Sequence, residues 1–128
     1  MQPPTEGETA TYERTFTVED VEEFGELSGD DQARHTEPDE DGRVMVQGLL
    51  TATMPTKLGA DQGMMAHTMN LQFHQPVYTG ERITCRSTAT DVVEREDRYD
   101  VAGDAVCENE SGEAVLTADV EGVVWKED

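Results

Sequence analysis

A carboxylic acid and an imidazole, those of Asp30 and His35, stand five residues apart in the sequence. These two types of side chain most often move protons at neutral pH. In a loop, this separation can bring both tips to one water molecule, whereas in a strand an odd separation would put them on opposite faces. For an isolated pair, the simpler interpretation is that the aspartate caps a turn and the histidine is exposed. The flanking segments must therefore show whether the two residues form a catalytic pair.

An amphipathic helix is predicted directly before this pair, from residue 18 to about residue 27. Thr17 is typical of a helix N-cap, with Asp20 three positions on and further acids in the first turn. Apolar residues recur at spacings of three, which predicts one face packed on a core. The residues of that face are Val21, Phe24 and Leu27.

After the pair, the chain is polar from residue 31 to residue 43, which predicts a loop with turns. From Gly48 onward the residues are apolar or small on every side, as expected of a buried helix. Pro55 has no backbone N–H and costs about 3 kcal/mol inside a regular helix. We therefore expect a kink or an early end near Met54, with Gly59 as the outer limit.

The remaining segments alternate apolar and polar residues between turn signals, which predicts an antiparallel sheet. The predicted strands cover residues 9–17, 65–73, 82–93, 99–108 and 114–125. With the two helices they place the chain in the α+β class, as a single domain over residues 9–128 that follows a flexible N-terminus at residues 1–8. His67 falls on the apolar side of its strand, where a core histidine is expected.

The net charge of −20, from 29 acidic and 9 basic residues, disfavours nucleic acid as a partner, because a polyphosphate would meet a negative surface. The regular strand patterns disfavour a disordered acidic segment. In molar salt the screening length falls to about 3 Å, so the self-repulsion largely vanishes. The composition therefore predicts a globular protein adapted to a high-salt cytoplasm.

No apolar run approaches the length of a membrane span, and the N-terminus lacks the features of a signal peptide, so a cytoplasmic location is predicted. Cys85 and Cys107 are too few for a disulfide framework and are expected to pack as reduced, apolar residues. No set of His, Cys, Asp and Glu has metal-ligand spacing and no glycine-rich phosphate loop occurs, so we predict no metal and no bound cofactor. His74 could line a pocket, although a packing role is favoured.

Three segments in this order resemble the MaoC-like (R)-specific enoyl-CoA hydratase and 3-hydroxyacyl-CoA dehydratase family: Ser28–His35, Gln47-Gly48 and Phe73–Glu81. The family pattern is Ser-Gly-Asp-x-Asn-Pro-x-His, then a His-Gly turn that opens a central helix, then Phe-x-x-Pro-Val-x-x-Gly-Asp. The departures from it are Gln32 in place of Asn, Ala33 in place of Pro and Gln47 in place of His.

The resemblance implies a hot-dog fold, in which an antiparallel sheet wraps a central buried helix. It also implies a homodimer whose sheets join edge to edge, which agrees with the need to cover the edges of a small open sheet. Asp30 and His35 would hold one water between them. One residue would withdraw its proton as the oxygen attacks the β-carbon of a trans-2-enoyl-CoA, and the other would deliver a proton to the α-carbon on the same face. No redox cofactor is implied.

The backbone N–H of Gly48, at a helix start, would stabilise the enolate-like thioester oxygen. Gln47 would replace the family's histidine as a hydrogen-bonding residue. Thr53 stands where the family places a serine near the active site, and its hydroxyl either donates to the substrate or bonds its own helix backbone. Gln32 carries the amide of the usual asparagine on a longer arm and would orient the loop.

Coenzyme A is anionic, so a protein this acidic needs a local basic patch for its phosphates. The candidates are Lys57, Arg82 and Arg86, because acidic residues are sparse around them. The alternative is that these side chains pair with surface carboxylates.

Two other functions remain open at this point. One is a hot-dog acyl-CoA thioesterase, in which a carboxylate and water would act on the carbonyl carbon. The other is a non-catalytic hot-dog subunit that binds an acyl chain or another protein. The spacing of Asp30 and His35 favours a hydratase acting on acyl-CoA metabolites over both alternatives.

Overall fold

Five strands and four helices make up the part of the chain that this computed structural model describes, residues 3–127. In chain order they are β1 (Thr9–Thr15), α1 (Val18–Ser28), α2 (Ala33–Thr36), α3 (Gly48–Thr51), α4 (Thr53–Asp61), β2 (Met64–Phe73), β3 (Arg82–Glu94), β4 (Arg98–Glu108) and β5 (Ala114–Trp125). The short helix α2 lies inside the stretch that the sequence predicted as a loop. It carries His35, so the difference concerns the candidate site directly.

All strand pairs are antiparallel, and the order across the sheet is β1-β3-β4-β5-β2. Two hairpins form the centre, because β3, β4 and β5 follow one another with short turns. The strands β1 and β2 form the two edges. The predicted α+β architecture, with one antiparallel sheet in a single domain, is confirmed.

The helices α3 and α4 carry the centre of the core. Leu50, Met54 and Leu58 recur every four residues and are at most 7 % exposed, so one stripe of the helical segment is buried. Each such side chain contributes about 1.5–3 kcal/mol when it is removed from water. The sheet wraps around this segment, which is the hot-dog arrangement.

The central helical segment breaks at Ala52 and continues to Asp61. The predicted kink is therefore confirmed, but an early end near Met54 and an outer limit at Gly59 are wrong. The break places Pro55 in the first turn of α4. The first N–H groups of a helix have no hydrogen-bond partner within the helix. A proline in the first turn therefore removes no helical hydrogen bond.

A reciprocal cap between Thr17 and Asp20 begins α1, as predicted, and Gly29 ends it with a left-handed φ of 79°. The buried face that the sequence predicted for α1 is wrong at one position, because Leu27 is 85 % exposed. At about 100° per residue, Leu27 lies about 120° around the helix from Val21. Gly25, one turn after Val21, is buried instead.

The edge strand β2 is more exposed than its alternation predicts. Met65, Met69 and Phe73 are 55 %, 42 % and 52 % exposed. Its pairing with β5 shifts register between Ala66 and Thr68, and such a bulge interrupts the alternation of faces. His67 lies at this bulge and is exposed, so the prediction of a core histidine is wrong.

Cys85 and Cys107 face each other across β3 and β4, and both are free thiols with no exposed surface, as predicted. At the N-terminus, residues 1 and 2 lie outside the described residues, as does residue 128. Gly7 and Glu8 exchange backbone hydrogen bonds with Ala89, so these two residues of the predicted flexible segment are attached to β3.

Candidate active site

His35 is held in one orientation by the backbone of Met45. The imidazole is 6 % exposed, and its Nδ1 lies 2.6 Å from the Met45 carbonyl oxygen. A carbonyl oxygen can only accept, so we infer that the neutral ring carries its proton on Nδ1. Nε2 is then left with a free lone pair, which is the form a general base requires.

Asp30 faces that lone pair. Its Oδ1 lies 3.8 Å from His35 Nε2, which is too far for a direct hydrogen bond. A water oxygen about 2.8 Å from each atom would bridge the two groups. Gln32 donates from Nε2 to the same Oδ1 over 2.9 Å and so orients the carboxylate. The structure thus brings Asp30 and His35 together, while their catalytic role stays a prediction.

A cavity of about 320 Å³ opens beside His35. Its polar lining includes Gln32, Arg34 and His74, and its apolar lining includes Phe73 and Val77. Asp30 itself is not a lining residue. His74 contributes to the lining, although its packing role was favoured, and its Nε2 lies 2.8 Å from the hydroxyl of Thr117.

Gly48 also lines this cavity, at the start of α3. A Cβ at this position would lie 2.9 Å from the ring of Phe73, so only glycine allows the ring to approach this closely. Its N–H makes no hydrogen bond to any residue of 3–127. Because α3 ends after four residues, few aligned peptide dipoles stand behind this donor. The amide itself is therefore what a ligand would meet.

Gln47 does not reach the cavity, so its predicted substrate-binding role is wrong. The side chain is 1 % exposed and lies between α1 and the loop that carries Asp30. Its Nε2 donates to the backbone carbonyls of Val21 and Asp30, over 3.0 Å and 3.2 Å. Gly25 packs close to this amide, and a Cβ there would lie 3.5 Å from it, an ordinary contact distance. Gln47 therefore positions the candidate pair without touching a substrate.

Thr53 donates from its hydroxyl to the Leu50 carbonyl, which is the second of the two roles considered for it, and it does not line the cavity. Thr51 lines the cavity instead. It is 2 % exposed, and its Oγ1 has no hydrogen-bond partner among the described residues. Sequence reasoning missed Thr51, although its spacing of three from Gly48 places it on the same side of the helix.

The three predicted phosphate-binding residues are each paired with a carboxylate. Their pairs are Lys57–Asp61 at 2.6 Å, Arg82–Glu110 at 3.7 Å and Arg86–Glu108 at 3.3 Å. None of the three lines the cavity, and they are split between α4 and β3. The alternative considered for them, surface ion pairs, is what the structure has. Sequence reasoning missed Arg34, although its position next to His35 was a signal.

Within residues 3–127, no group of His, Cys, Asp and Glu side chains is arranged to hold a metal ion. None of the helices in the same range has both the length and the apolar character needed to cross a membrane.

Comparison with protein families gives one match, to the FAS1-like, dehydratase domain region, over residues 36–118. The chain belongs to this family. The match begins one residue after His35, so it covers the cavity-lining helix and most of the sheet but not the candidate pair. A search of curated proteins found no significant match.

Among solved structures, the (R)-hydratase from A. caviae involved in PHA biosynthesis is similar, with a TM-score of 0.82 and 24 % identity over 95 % of this chain and 98 % of that one. The MaoC-like dehydratase from Rhodospirillum rubrum has a TM-score of 0.77 and 18 % identity, over 98 % and 95 % of the two chains. The C-terminally truncated HadBC (3R-hydroxyacyl-ACP dehydratase) complex from Mycobacterium tuberculosis has a TM-score of 0.70 and 19 % identity, over 96 % of this chain and 99 % of that one. At these identities the likeness establishes the fold.

Proposed function

We propose that this protein is a hydro-lyase that reversibly adds water to a trans-2-enoyl-CoA to give an (R)-3-hydroxyacyl-CoA. The observation that carries the proposal is the 3.8 Å gap between Asp30 Oδ1 and His35 Nε2, with Nδ1 of the same ring bound to the Met45 carbonyl. Membership of a dehydratase family supports the reaction class.

The orientation of His35 assigns the proton steps. A water in the gap loses a proton to Nε2 while its oxygen forms a bond to the β-carbon and the double-bond electrons move toward the thioester. The imidazolium then returns that proton to the α-carbon on the same face. Asp30 orients the water and stabilises the imidazolium through its negative charge. The water is consumed, both side chains regain their starting states, and no redox group is required.

The free N–H of Gly48 is the donor for the thioester oxygen, which gains negative charge as the enolate forms. Gly48 and His35 line the same cavity, so one bound thioester can contact both. Phe73, packed against Gly48, limits how the acyl group enters.

A homodimer is part of the same proposal. The strand β2 is a sheet edge with unpaired backbone groups, and it exposes Met65, Met69 and Phe73. Pairing β2 with its copy in a second chain would satisfy those groups and cover the apolar side chains. Light scattering tests this directly. A dimer that dissociates in a Met69→Asp variant is expected, and a monomeric wild-type protein would contradict the assignment.

The activity test uses crotonyl-CoA in buffer with and without high KCl, and follows the enoyl absorbance and free thiol together. Loss of the enoyl signal without thiol release supports hydration. Thiol release indicates a thioesterase, and no reaction from folded protein indicates a non-catalytic binding subunit. Asp30→Asn and His35→Ala are expected to lower kcat about 10²- to 10⁴-fold. Asp31→Asn is the matched control, since Asp31 is exposed and does not line the cavity.

A further inference from the structure

Nearly every basic side chain has an acidic neighbour. Eight of the nine Lys and Arg residues lie 3.7 Å or less from an Asp or Glu carboxylate. Within residues 3–127, Arg34 is the exception. With 29 acidic residues in the sequence, a guanidinium without such a neighbour stands out from the general pattern.

Arg34 lines the same cavity as His35 and Gly48. Both Arg34 and His35 are anchored by Met45, whose N–H donates to the Arg34 carbonyl over 3.0 Å and whose carbonyl binds the imidazole. The base of the arginine side chain therefore has a fixed position relative to the catalytic ring. Arg34 is exposed at the wall of the cavity, and within residues 3–127 no carboxylate forms an ion pair with it.

A guanidinium binds a carboxylate or a phosphate through paired N–H donors. Within an acyl-CoA, these two groups lie at very different distances from the reacting double bond. The pantetheine arm separates the thioester sulfur from the nearest phosphate by roughly 15 Å when extended, taking bond lengths like those of a peptide chain. Arg34 is next to His35 in the sequence, and His35 is the residue that acts on the double bond. A carboxylate on the acyl chain, close to the β-carbon, is therefore a better partner for Arg34 than a CoA phosphate.

We propose that Arg34 binds a carboxylate carried by the acyl chain just beyond the double bond, so that the enzyme prefers a dicarboxylic enoyl thioester over a neutral one. This inference rests on the proposed hydratase function, because that function sets where the β-carbon lies. It makes Arg34 the residue that selects the acyl group.

Binding of unreactive analogues tests the inference without turnover. Butyryl-CoA and glutaryl-CoA differ by one terminal carboxylate, and calorimetry would compare their Kd values for wild type, Arg34→Gln and Arg95→Gln. Arg95 is the matched control, since it loses the same charge but pairs with Asp100 in the β3–β4 hairpin. Wild type and Arg95→Gln are expected to bind glutaryl-CoA about 10- to 100-fold more tightly than butyryl-CoA, and Arg34→Gln to bind both alike.

The corresponding pantetheine thioesters separate the two anion sources. If the preference for the glutaryl group persists without the phosphates and still depends on Arg34, the proposal holds. If Arg34→Gln weakens both CoA thioesters equally and neither pantetheine thioester, Arg34 contacts a phosphate and the proposal is overturned. Unchanged Kd values in Arg34→Gln overturn it as well. Turnover of glutaconyl-CoA and crotonyl-CoA is measured separately, so a wild type that hydrates neither would overturn the proposed function alone.

Discussion

The side-chain amide of Gln47 donates to the backbone carbonyl of Asp30 over 3.2 Å, and the same nitrogen donates to the carbonyl of Val21 over 3.0 Å. One buried side chain therefore joins the residue before α3 to helix α1 and to the loop that carries the candidate carboxylate. We therefore expect Gln47 to help fix the distance between Asp30 and His35, because it binds the backbone of Asp30 directly.

Replacing Gln47 with leucine is expected to lower kcat roughly 10- to 100-fold with little change in KM, since the carboxylate loses its position but the cavity stays open. The loss of hydrogen bonds to two buried carbonyls is expected to cost about 1–3 kcal/mol of unfolding free energy. Gln47→His retains a ring N–H that can reach these carbonyls and should recover much of kcat. Gln62→Leu, at an exposed position directly after α4, is the control. Equal activity in the leucine and histidine variants would contradict a positioning role.

A methyl group at Gly48 would lie 2.9 Å from the Phe73 ring, so Gly48→Ala is expected to push the ring away and reduce kcat. Phe73→Ala in the same chain should restore part of the activity, because the obstructing ring is gone. Gly59→Ala is the control, since its nearest neighbour is 3.9 Å away and it lies inside α4, where alanine adds about 0.5–1 kcal/mol of stability. Steady-state kinetics and urea unfolding of Gly48→Ala, Phe73→Ala and the double variant, each compared with wild type, measure the coupling, and strictly additive effects would exclude a direct contact.

The order of helices and strands could be predicted from the sequence because the signals are local. Alternation marks the strands, and Thr17 with Asp20 forms the predicted cap. Ion pairs between distant residues could not be predicted in this way. Arg86 meets Glu108, 22 residues later, only because β3 and β4 pair in one particular register. The pair Lys57–Asp61 is local, four residues apart on α4, and sequence reasoning overlooked it.

The candidate pair was visible in the sequence, but its supporting residues were not. Asp30 and His35 have the residue types of acid–base chemistry, so a motif can reveal them. Gln47 was expected at the substrate, because the sequence does not tell which way a side chain points at the start of a helix. Thr51, three residues after Gly48, and Arg34, next to His35, stand at informative positions, but only the structure shows that both line the cavity.

Asp20 is expected to stabilise α1 in a pH-dependent manner. The backbone N–H of Thr17 donates to its carboxylate over 2.9 Å, and this bond is the main reason that the pKa of Asp20 is lowered. A lowered carboxylate pKa means that the stabilisation is present above the unfolded-state pKa and is lost as the pH falls through the folded-state value. Asp20→Ala should therefore cost about 0.5–2 kcal/mol at pH 7 and much less near pH 2. Urea unfolding at both pH values measures this, with Glu22→Ala as the exposed control on the same helix. A cost that stays constant with pH would show that the carboxylate charge does not contribute.

Salt is expected to stabilise the fold, because the net charge of −20 repels itself in dilute buffer. The screening length falls from about 10 Å at 0.1 M salt to about 3 Å at 1 M, which weakens this repulsion over the whole surface. The ion pairs lose strength as well, but they are largely exposed, and such pairs contribute little to begin with. We therefore expect Tm to rise between 0.1 M and 2 M KCl, and to rise less in a Glu22→Gln, Glu23→Gln variant, which removes two adjacent charges from the exposed side of α1. Sucrose at matched osmolality serves as the uncharged comparison. An equal rise in sucrose, or a Tm that does not change with KCl, would contradict the view that charge repulsion limits stability.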